Sequence, residues 1–414
     1  MRDGGHGVNT AKNSHCFRTK PRKRAPSEPP GAVVLGGDYQ GLGIVRSLGA
    51  HGIPICVVDD EFSIARHSRF TTYGIRVPDL HDEETAIKTL LSLGEHLDLR
   101  GWVLFPTRDE QVAALSRHRS ELAECFRVPA PVWDTVRWMW DKRNTYRLSK
   151  QLSIPFPETW FPETVEDLEE IEAPFPLVLK PAIKEHFFYA TRSKAWRANN
   201  KKELKELFAR AVRITGPGEM MVQDLIPGDG RHQFGYCAFF KDGRPIGSMV
   251  SRRMRQHPYE FGRASTFVES IDLPALETLS ERFLQATNYY GLVEVEYKLD
   301  ARDGQFKLLD VNARTWGYHT LGTRAGVDFP YLLYLDQIGR PVEPRRGIPG
   351  VSWIRLLTDI PTGFIDMASG RTTPRDYFRS LRSFHSEAVF TRKDLLPALV
   401  ECALLPYLYV KRGF

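Results

Sequence analysis

Short apolar runs alternate with helical patterns of hydrophobic residues from Gly31 onward. The run "GAVVLGG" is followed by the helical pattern "LGIVRSLGAHG" and then by the strand pattern "PICVVDD". A further strand, "WVLFPTRDE", leads into the helix "EQVAALSRHRSEL". This strand–helix–strand rhythm predicts a parallel sheet with right-handed crossovers, which we expect to end near residue 130.

The pattern changes after residue 130, where strands and helices no longer alternate one by one. The helix "DKRNTYRLSKQLSI" is stopped by "PFPETW", and the strand "FPLVLKPA" and the helix "KKELKELFARAVR" follow. The strand "MMVQDLIPG" then leads to a predicted hairpin around Asp242-Gly243 and the helix "LETLSERFLQATNYY". Two further strands, "GLVEVEYKLD" and "QFKLLDVNAR", are joined by the turn "ARDG".

Composition places the chain among ordinary globular proteins. Of its 414 residues, 42% are hydrophobic and 26% charged. No run approaches the roughly 18 to 20 apolar residues of a membrane-spanning helix. The nearest, "LLPALVECALLPYLYV", is interrupted by Pro397, Glu401 and Pro406 and predicts a docking helix with a following segment, or a weaker contact with a membrane surface.

Charge is concentrated at the N-terminus. Residues 1–30 hold seven basic and two acidic residues, which is +5 of the formal net charge of +6. This segment has no apolar periodicity and predicts a disordered basic arm without the apolar core of a signal peptide. Nothing in the rest of the chain supports a nucleic-acid partner. The five scattered cysteines lack CxxC spacing, which indicates a reducing, cytoplasmic location rather than a disulfide or zinc framework.

The strongest chemical signal lies on the last two predicted strands. Glu296 falls on the first, and Asp310 and Asn312, two residues apart, share a face of the second. Two carboxylates and an amide oxygen suit Mg²⁺, which shares its remaining positions with water and substrate phosphates. Arg314 continues on the same face and can hold a carboxylate or an oxyanion. The alternative is a surface hairpin with ordinary charges, although unpartnered polar groups inside the apolar "LLDVN" would be costly.

This segment resembles the metal-binding end of the ATP-grasp superfamily. The resemblance implies that Glu296, Asp310 and Asn312 bind Mg²⁺, with Mn²⁺ as a substitute, and that Arg314 is catalytic. It also implies an α/β fold class, with α+β in the ATP-grasp part. The expected parts are a disordered arm (1–30), a Rossmann-like domain (31–130), two ATP-grasp lobes (131–215 and 216–345) and a C-terminal appendage (346–414).

The same resemblance assigns the ATP contacts. Lys142 and Lys180 match the two nucleotide lysines of the superfamily, and "MMVQDLIPG" resembles the strand that holds adenine through Gln223, Asp224, Leu225 and Ile226. The loop after the second lysine is glycine-rich in the superfamily, whereas "PAIKEHFFYATRSKAW" has no glycine. We expect side chains to cover the phosphates there instead. The candidates are Lys184, His186, Arg192 and Lys194, with Lys194 taken as the ATP contact.

The stretch "SRRMRQHPYEFGRAS" resembles the carboxylate–amine ligase branch, related to D-aspartate ligase and the large chain of carbamoyl-phosphate synthase. That branch uses ATP to phosphorylate a carboxylate and lets an amine attack the acyl phosphate, and a thiol is the alternative nucleophile. Arg253 and Arg255 alternate along a strand, so we expect both on the substrate side, Arg253 as a catalytic residue. Asp109 in "FPTRDE" is a further substrate candidate. The expected partners are a small carboxylate and an amine, with a homodimer left open.

Two other hypotheses about the function remain. "GGDYQGLG" with Asp59 or Asp60 suggests an NAD-dependent oxidoreductase, but its spacing departs from G-x-G-x-x-G. A degenerate ATP-grasp module would bind nucleotide without catalysis. Under the ligase hypothesis Gly36 and Gly37 present amides at a helix N-terminus, where they bind the substrate carboxylate or form only a tight turn.

Overall fold

The protein is described here from a computed structural model that covers residues 29–262 and 264–412; the predicted basic arm lies almost entirely outside the described residues. The first sheet is parallel and has the order β3-β2-β1-β4. Its strands are β1 (Ala32–Leu35), β2 (Ile55–Asp59), β3 (Tyr73–Arg76) and β4 (Val103–Pro106). The helices of this part are α1 (Tyr39–Ala50), α2 (Glu83–His96), α3 (Asp109–Arg117) and α4 (Arg119–Ala123).

The apolar, β-branched runs explain why this sheet is parallel and covered on both faces. Every residue of β1 is buried, and Ala32 pairs with Ile55 on one side and Val103 on the other. Near-continuous apolar strands of this kind are typical of parallel sheets with helices on both faces. Helix α1 begins after Asp38, whose carboxylate accepts a hydrogen bond from the Gln40 amide and caps the helix.

A second, small antiparallel sheet has the order β5-β8-β6-β7. Its strands are β5 (Thr159–Trp160), β6 (Leu177–Pro181), β7 (Trp196–Ala198) and β8 (Met220–Asp224). The helices before and around it are α5 (Trp133–Trp140), α6 (Lys142–Gln151), α7 (Lys184–Thr191) and α8 (Lys201–Thr215). Helix α7 occupies most of the stretch that the sequence predicted as a loop, because "KEHFFYAT" contains no helix-breaking glycine or proline.

The third sheet is the largest and runs β13-β12-β9-β10-β11-β15-β16, with β14 paired to β10. Its strands are β9 (Gln233–Lys241), β10 (Arg244–His257), β11 (Ala264–Ile271), β12 (Gly291–Asp300), β13 (Gln305–Asn312), β14 (Arg345–Arg346), β15 (Ser352–Ile354) and β16 (Ser386–Glu387). The predicted hairpin at Asp242-Gly243 joins β9 to β10, and β12 and β13 are antiparallel neighbours as expected. Helices α9 (Pro274–Ala286), α10 (Thr320–Arg324) and α11 (Phe329–Gln337) belong to the same part.

The segment after residue 345 is built into this third sheet. Strand β15 pairs with β11, and Trp353 at its centre is fully buried. The remaining helices are α12 (Leu356–Ala368), α13 (Pro374–Arg382), α14 (Leu396–Ala403) and α15 (Leu405–Arg412). The sequence suggested an appendage because three strands of two or three residues give no strand pattern of their own. In the part of the chain that the structure describes, no helix is long and apolar enough to cross a membrane.

Candidate active site

A cavity of about 1140 Å³ lies where the three sheets meet. Residues from every part of the fold line it, including the C-terminal segment through Arg355, Leu357 and Leu408. Most of the predicted site residues line this cavity: Asp109, Lys142, Lys180, Lys194, Gln223, Asp224, Leu225, Ile226, Arg253, Glu296, Asp310, Asn312 and Arg314. Gly36, Gly37 and Arg255 are not among the lining residues.

The acidic residues of β12 and β13 come together as their alternation predicts. Glu296 lies directly opposite Asp310, and Asn312 lies opposite Glu294 in the antiparallel register. The amide nitrogen of Asn312 donates to Glu296 Oε1 at 2.9 Å and to Glu294 Oε2 at 3.1 Å. Three acids and an amide therefore share one face of the hairpin.

Lys142 and Asp310 form an ion pair across the cavity, with 2.8 Å between Nζ and Oδ1. Burial raises the pKa of Asp310, but the Lys142 ammonium outweighs it and holds that pKa below its usual range. Lys142 starts α6 after the capping Asp141, which fixes its position beside the strand. Nearby, Lys180 Nζ donates to the Tyr146 hydroxyl at 2.7 Å, so the ammonium ending the buried strand β6 has a polar partner.

Arg253 forms an ion pair with Glu296, the second carboxylate of the predicted metal site. Its Nη2 donates to Glu296 Oε2 at 2.6 Å, and its Nη1 donates to Gln233 Oε1 at 2.8 Å. Burial opposes ionisation of Glu296, yet Arg253 and then Lys194 keep the pKa of that carboxyl below its usual value. Burial, and then the charge of Glu296, raises the pKa of the neighbouring Glu294 to about 7. The two glutamates of β12 therefore differ in proton affinity.

Arg314 connects the acidic hairpin to the first sheet. Its guanidinium donates to both carboxylate oxygens of Asp109, at 2.7 and 3.1 Å, and its Nη2 also donates to Asn312 Oδ1 at 3.2 Å. Lys184, the first residue of α7, contacts the same Asp109 carboxylate. Burial raises the pKa of Asp109, but Arg314 and Lys184 outweigh it and keep the carboxyl ionised.

Strand β8, which was predicted to hold adenine and which we call the hinge strand, ends at Asp224, and the segment Gln223–Ile226 lines the cavity. The side-chain amide of Gln223 donates to the Thr159 hydroxyl at 2.8 Å, and Arg302 binds the Asp224 carboxylate. Lys298 on β12 donates to the carbonyls of Ile226 and Gly228, both at 2.8 Å. These contacts hold the segment after β8 against the third sheet.

The four side chains that were predicted to cover the phosphates, which we call the lid side chains, differ in where they lie. Lys184, Arg192 and Lys194 line the cavity, whereas His186 is paired with Glu219 at 3.1 Å and is not among the lining residues. Lys194 Nζ donates to the Gly262 carbonyl at 3.1 Å. Burial lowers the pKa of Lys194 to about 8, and the nearby carboxylate of Glu296 opposes this shift only in part.

The carboxylate of Asp59 occupies the glycine turn after β1. The Gly36 amide donates to the Val58 carbonyl at 2.9 Å, and the Gly37 amide donates to Asp59 Oδ2 at 2.6 Å. Gly36 has φ +88°, and a Cβ there would come within 2.2 Å of Thr107 Oγ1. The two amides are therefore taken by the protein itself, so the prediction that they bind the substrate carboxylate is corrected to the tight turn.

Arg255 is also directed away from the cavity. The register of β10 against β11 shifts between Arg253 and Arg255, which breaks the two-residue alternation on which the prediction relied. Arg255 donates to both oxygens of Asp359 at 2.8 Å, and Asp359 is fully buried. The structure therefore gives Arg255 a packing role between β10 and α12.

The donor set at the hairpin fits a divalent cation that nucleotide phosphates help to bind. Within the described residues, no group of three or more His, Cys, Asp or Glu side chains lies close enough to hold a metal by itself. Glu296, Asp310 and Asn312 supply two carboxylates and an amide oxygen, and Mg²⁺ commonly takes one or two carboxylates together with phosphate oxygens. Lys142 and Arg253 now neutralise the two carboxylates.

Sequence reasoning missed Glu294, Lys298 and Arg355 at the cavity. Glu294, Glu296 and Lys298 follow each other at intervals of two along β12, and this charged alternation within an apolar strand was the available signal. Arg355 stacks over Tyr39 at 4.0 Å and pairs with Glu401 at 3.0 Å. No sequence pattern connects Arg355 to the cavity, because its position depends on β15 joining the third sheet.

Comparisons with known proteins agree with this fold. No family profile matches the chain. D-aspartate ligase of Enterococcus faecium is 23% identical over 349 residues, which is 80% of this chain and 82% of that protein. L-amino acid ligase from Bacillus licheniformis has a TM-score of 0.59 at 16% identity, covering 76% of this chain and 75% of the other. The biotin carboxylase domain of Hydrogenobacter thermophilus 2-oxoglutarate carboxylase, in complex with MgADP, ADP and bicarbonate, has a TM-score of 0.62 at 14% identity, covering 78% of this chain and 74% of the other.

The chain thus has the ATP-grasp fold, and the resemblance to that superfamily is confirmed. The chain is similar to D-aspartate ligase over most of both lengths, and its relatives include ligases that form carbon–nitrogen bonds. Structures with the same fold contain adenine nucleotide and Mg²⁺. The relatives named above are two ligases and a biotin carboxylase domain, so the comparisons favour the ATP-grasp hypothesis over the NAD-dependent oxidoreductase.

Proposed function

We propose that this protein is an ATP-dependent ligase that joins a carboxylate to an amine through an acyl phosphate, releasing ADP and phosphate. The set of residues that line one cavity supports this proposal. The cavity brings Lys142 and Lys180 together with the acids of β12–β13 and with Arg253 and Arg314. Cations for phosphate, oxygen donors for a metal and arginines for an oxyanion are the groups that this reaction needs.

ATP lies along the second sheet in this proposal. Gln223, Asp224, Leu225 and Ile226 hold adenine through the backbone at the end of β8, and Lys298 fixes the carbonyls of that segment. Lys142 and Lys180 bind phosphate oxygens, and Lys194 approaches from the lid side. Each lysine exchanges its present partner for phosphate, which offers the ammonium a stronger charge.

Glu296, Asp310 and Asn312 would hold Mg²⁺, or Mn²⁺, with the phosphates. When bound, the cation neutralises the charge that builds up on the transferred phosphoryl group. With the carboxylates engaged in this way, Lys142 would be available to phosphate instead of Asp310, and Arg253 to the reacting carboxylate instead of Glu296. Since Arg253 Nη2 is 2.6 Å from Glu296, the guanidinium already lies beside the metal-binding face.

The proposed reaction consists of two successive displacements. A substrate carboxylate oxygen attacks the γ-phosphorus, and the bond to the β–γ bridging oxygen breaks to release ADP. The amine then attacks the acyl carbon, a proton leaves the nitrogen, and inorganic phosphate departs. Arg314, held by Asp109, stabilises the negative charge on the acyl oxygen in the tetrahedral intermediate.

We infer that the Rossmann-like first domain supplies the substrate walls. Its end of the cavity carries Asp38, Glu61 and Glu110 beside Arg108 and His81. A mixed acidic and basic wall suits a substrate with both an ammonium and a carboxylate, which supports an amino acid as one partner. The D-aspartate ligase relative supports the same substrate class. The described cysteines are all unpaired, which supports a cytoplasmic location.

The test measures ADP and phosphate release from MgATP against panels of amino acids and small carboxylates. We expect release that requires both a carboxylate and an amine, with an amide product detected by mass spectrometry. AMP formation would contradict the acyl-phosphate mechanism. Tight MgATP binding without turnover on any panel would instead support the degenerate nucleotide-binding module.

A further inference from the structure

Helix α12 buries polar residues and exposes apolar ones, which is the reverse of an ordinary surface helix. A surface helix of a globular protein buries its apolar stripe and exposes its polar one. The buried residues of α12 are Asp359, Thr362, Gly363 and Asp366. Its large exposed side chains are Ile360, Phe364 and Ile365, with Phe364 58% exposed. The helix therefore presents hydrophobic residues to its surroundings.

Specific contacts fix this orientation. The buried Asp359 binds the guanidinium of Arg255 on β10, and Asp366 accepts a hydrogen bond from Arg371 at 2.8 Å. Gly363 lies against the ring of Tyr377 on α13, where a Cβ would come within 2.1 Å. Rotating α12 to bury Phe364 would break both ion pairs and this close approach, so the exposed apolar face is a built feature.

Helix α14 repeats the arrangement. Its buried residues are Pro397 and Glu401, and Glu401 is held by Arg355 at 3.0 Å. Leu396 and Leu399 are exposed, Leu399 by 65%. The helix is anchored at its start by Asp394, which binds Arg46 at 3.0 Å. A second helix thus directs a carboxylate inward and leucines outward.

These residues form a concentrated apolar surface, which we call the C-terminal apolar face. It comprises Ile360, Phe364, Ile365, Phe378, Phe390, Leu395, Leu396, Leu399, Tyr409 and Val410. Ten of the seventeen large apolar side chains that are exposed in the described residues belong to it. So many exposed large apolar side chains within residues 360–410 indicate an interaction site.

The charges beside the face are positive. Helix α13 exposes Arg375, Arg379 and Arg382, which recur at intervals of four and three and so share one side of the helix. Arg392 and Lys393 are exposed just before α14. The nearby carboxylates Asp366, Asp394 and Glu401 are paired inward, so they do not offset these charges at the surface. The exposed Asp376 on α13 pairs with Arg379 at 3.5 Å and offsets one arginine, and a net positive charge remains.

We propose that the C-terminal apolar face docks on an anionic lipid surface, with the apolar side chains among the acyl chains and the arginines at the headgroups. Interfacial helices combine an apolar face with lysine and arginine in this way. A second copy of the chain suits the face less well, because it would bring the positive charges beside each face together. The segment 1–28 has seven basic residues and few large apolar ones, so it suits neither the charge nor the apolar surface.

The same helices extend to the cavity. Leu357 and Thr358 in the first turn of α12 and Leu408 in α15 are lining residues, and Arg192 after α7 donates to the Val410 carbonyl at 3.3 Å. Docking through this face therefore brings the cavity next to the bilayer. The docking itself is independent of the ligase activity proposed above.

Co-sedimentation of the full chain with vesicles tests the proposal. We expect binding to phosphatidylcholine mixed with phosphatidylglycerol, little binding to phosphatidylcholine alone, and weaker binding as salt is raised. The double variant Phe364→Ser, Leu399→Ser should bind about tenfold more weakly. Phe161→Ser with Ile214→Ser is the matched control, since both residues are exposed but lie outside the face. Circular dichroism checks that each variant is folded.

Three results would overturn the proposal. The first is absence of binding to either vesicle. The second is unchanged binding of the Phe364→Ser, Leu399→Ser variant, because another surface would then be responsible. The third is a dimer in solution that this variant dissociates, without vesicle binding, which would make a second copy the partner of the face.

Discussion

The carboxylate of Asp109, in the first turn of α3, accepts two hydrogen bonds from the guanidinium of Arg314, which follows β13. Asp109 thus belongs to the part of the fold built on the parallel sheet, and Arg314 to the segment that leaves the acidic hairpin. Because Lys184 binds the same carboxylate, Asp109 joins three elements around the cavity. It also sets the direction of the Arg314 donors that remain available to a substrate.

We expect Asp109→Asn to lower kcat about 10- to 100-fold, since the neutral amide cannot hold two cations in position. The KM for ATP should change little, because Asp109 lies apart from the hinge strand. Steady-state ADP formation measures both constants. Asp134→Asn, at a carboxylate that is 83% exposed, is the control and should behave as the wild type. An unchanged kcat for Asp109→Asn would show that Arg314 needs no positioning by Asp109.

Local patterns were enough to predict the acidic hairpin. Two alternating strands joined by "ARDG" determine that Glu296, Asp310 and Asn312 share a face, because both the pairing and the turn are local in sequence. Lys180 in β6 and Lys142 at the start of α6 were instead found through the resemblance to the superfamily. Their partners Tyr146 and Asp310 were not predicted as such, since those contacts depend on packing between sheets.

The failed predictions have non-local causes. The anion at the Gly36–Gly37 turn is Asp59, which comes from the next strand and is 22 residues distant from Gly37. The position of Arg255 depends on a bulge that β10 acquires only against β11. Arg355 reaches the cavity because a three-residue strand completes the sheet. None of these features leaves a periodic signal in the sequence.

Asp310→Asn should reduce ADP formation about 100- to 1000-fold, because it removes a carboxylate from the proposed cation site and the counter-charge of Lys142. The Mg²⁺ concentration for half-maximal activity should rise as well. Initial rates over a Mg²⁺ titration measure both effects. Asp303→Asn lies in the turn of the same hairpin and should retain the wild-type Mg²⁺ dependence. A wild-type Mg²⁺ curve for Asp310→Asn would reject the assignment.

Lys194 should make nucleotide binding take up protons. Its pKa is lowered to about 8 by burial, so the amine is largely neutral at about pH 9, and phosphate oxygens would restore the ammonium. Affinity for MgATP should therefore fall as pH rises through 8. The same shift means that the buried ammonium opposes folding at full strength below about pH 8, and that this cost declines as the pH rises from 8 towards the ordinary lysine pKa of 10.5.

Calorimetry of MgATP binding in two buffers of different ionisation enthalpy counts these protons. Lys194→Met should abolish the uptake, whereas Lys202→Met, at a lysine that is 87% exposed, should preserve it. Equal uptake by the wild type and Lys194→Met would mean that another group titrates.

The buried pair of Arg255 and Asp359 predicts a change in stability rather than in catalysis. Arg255→Met leaves Asp359, which is fully buried, without its counter-ion, so the free energy of unfolding should fall by about 3–5 kcal/mol. Urea unfolding followed by circular dichroism measures this change. Arg252→Met is the matched control, because Arg252 pairs with Glu269 near the surface and its loss should cost about 0–1 kcal/mol. At temperatures where Arg255→Met is folded, its KM values should match the wild type. A raised KM for the carboxylate substrate, with unfolding unchanged, would instead make Arg255 a substrate residue, as its alternation with Arg253 first suggested.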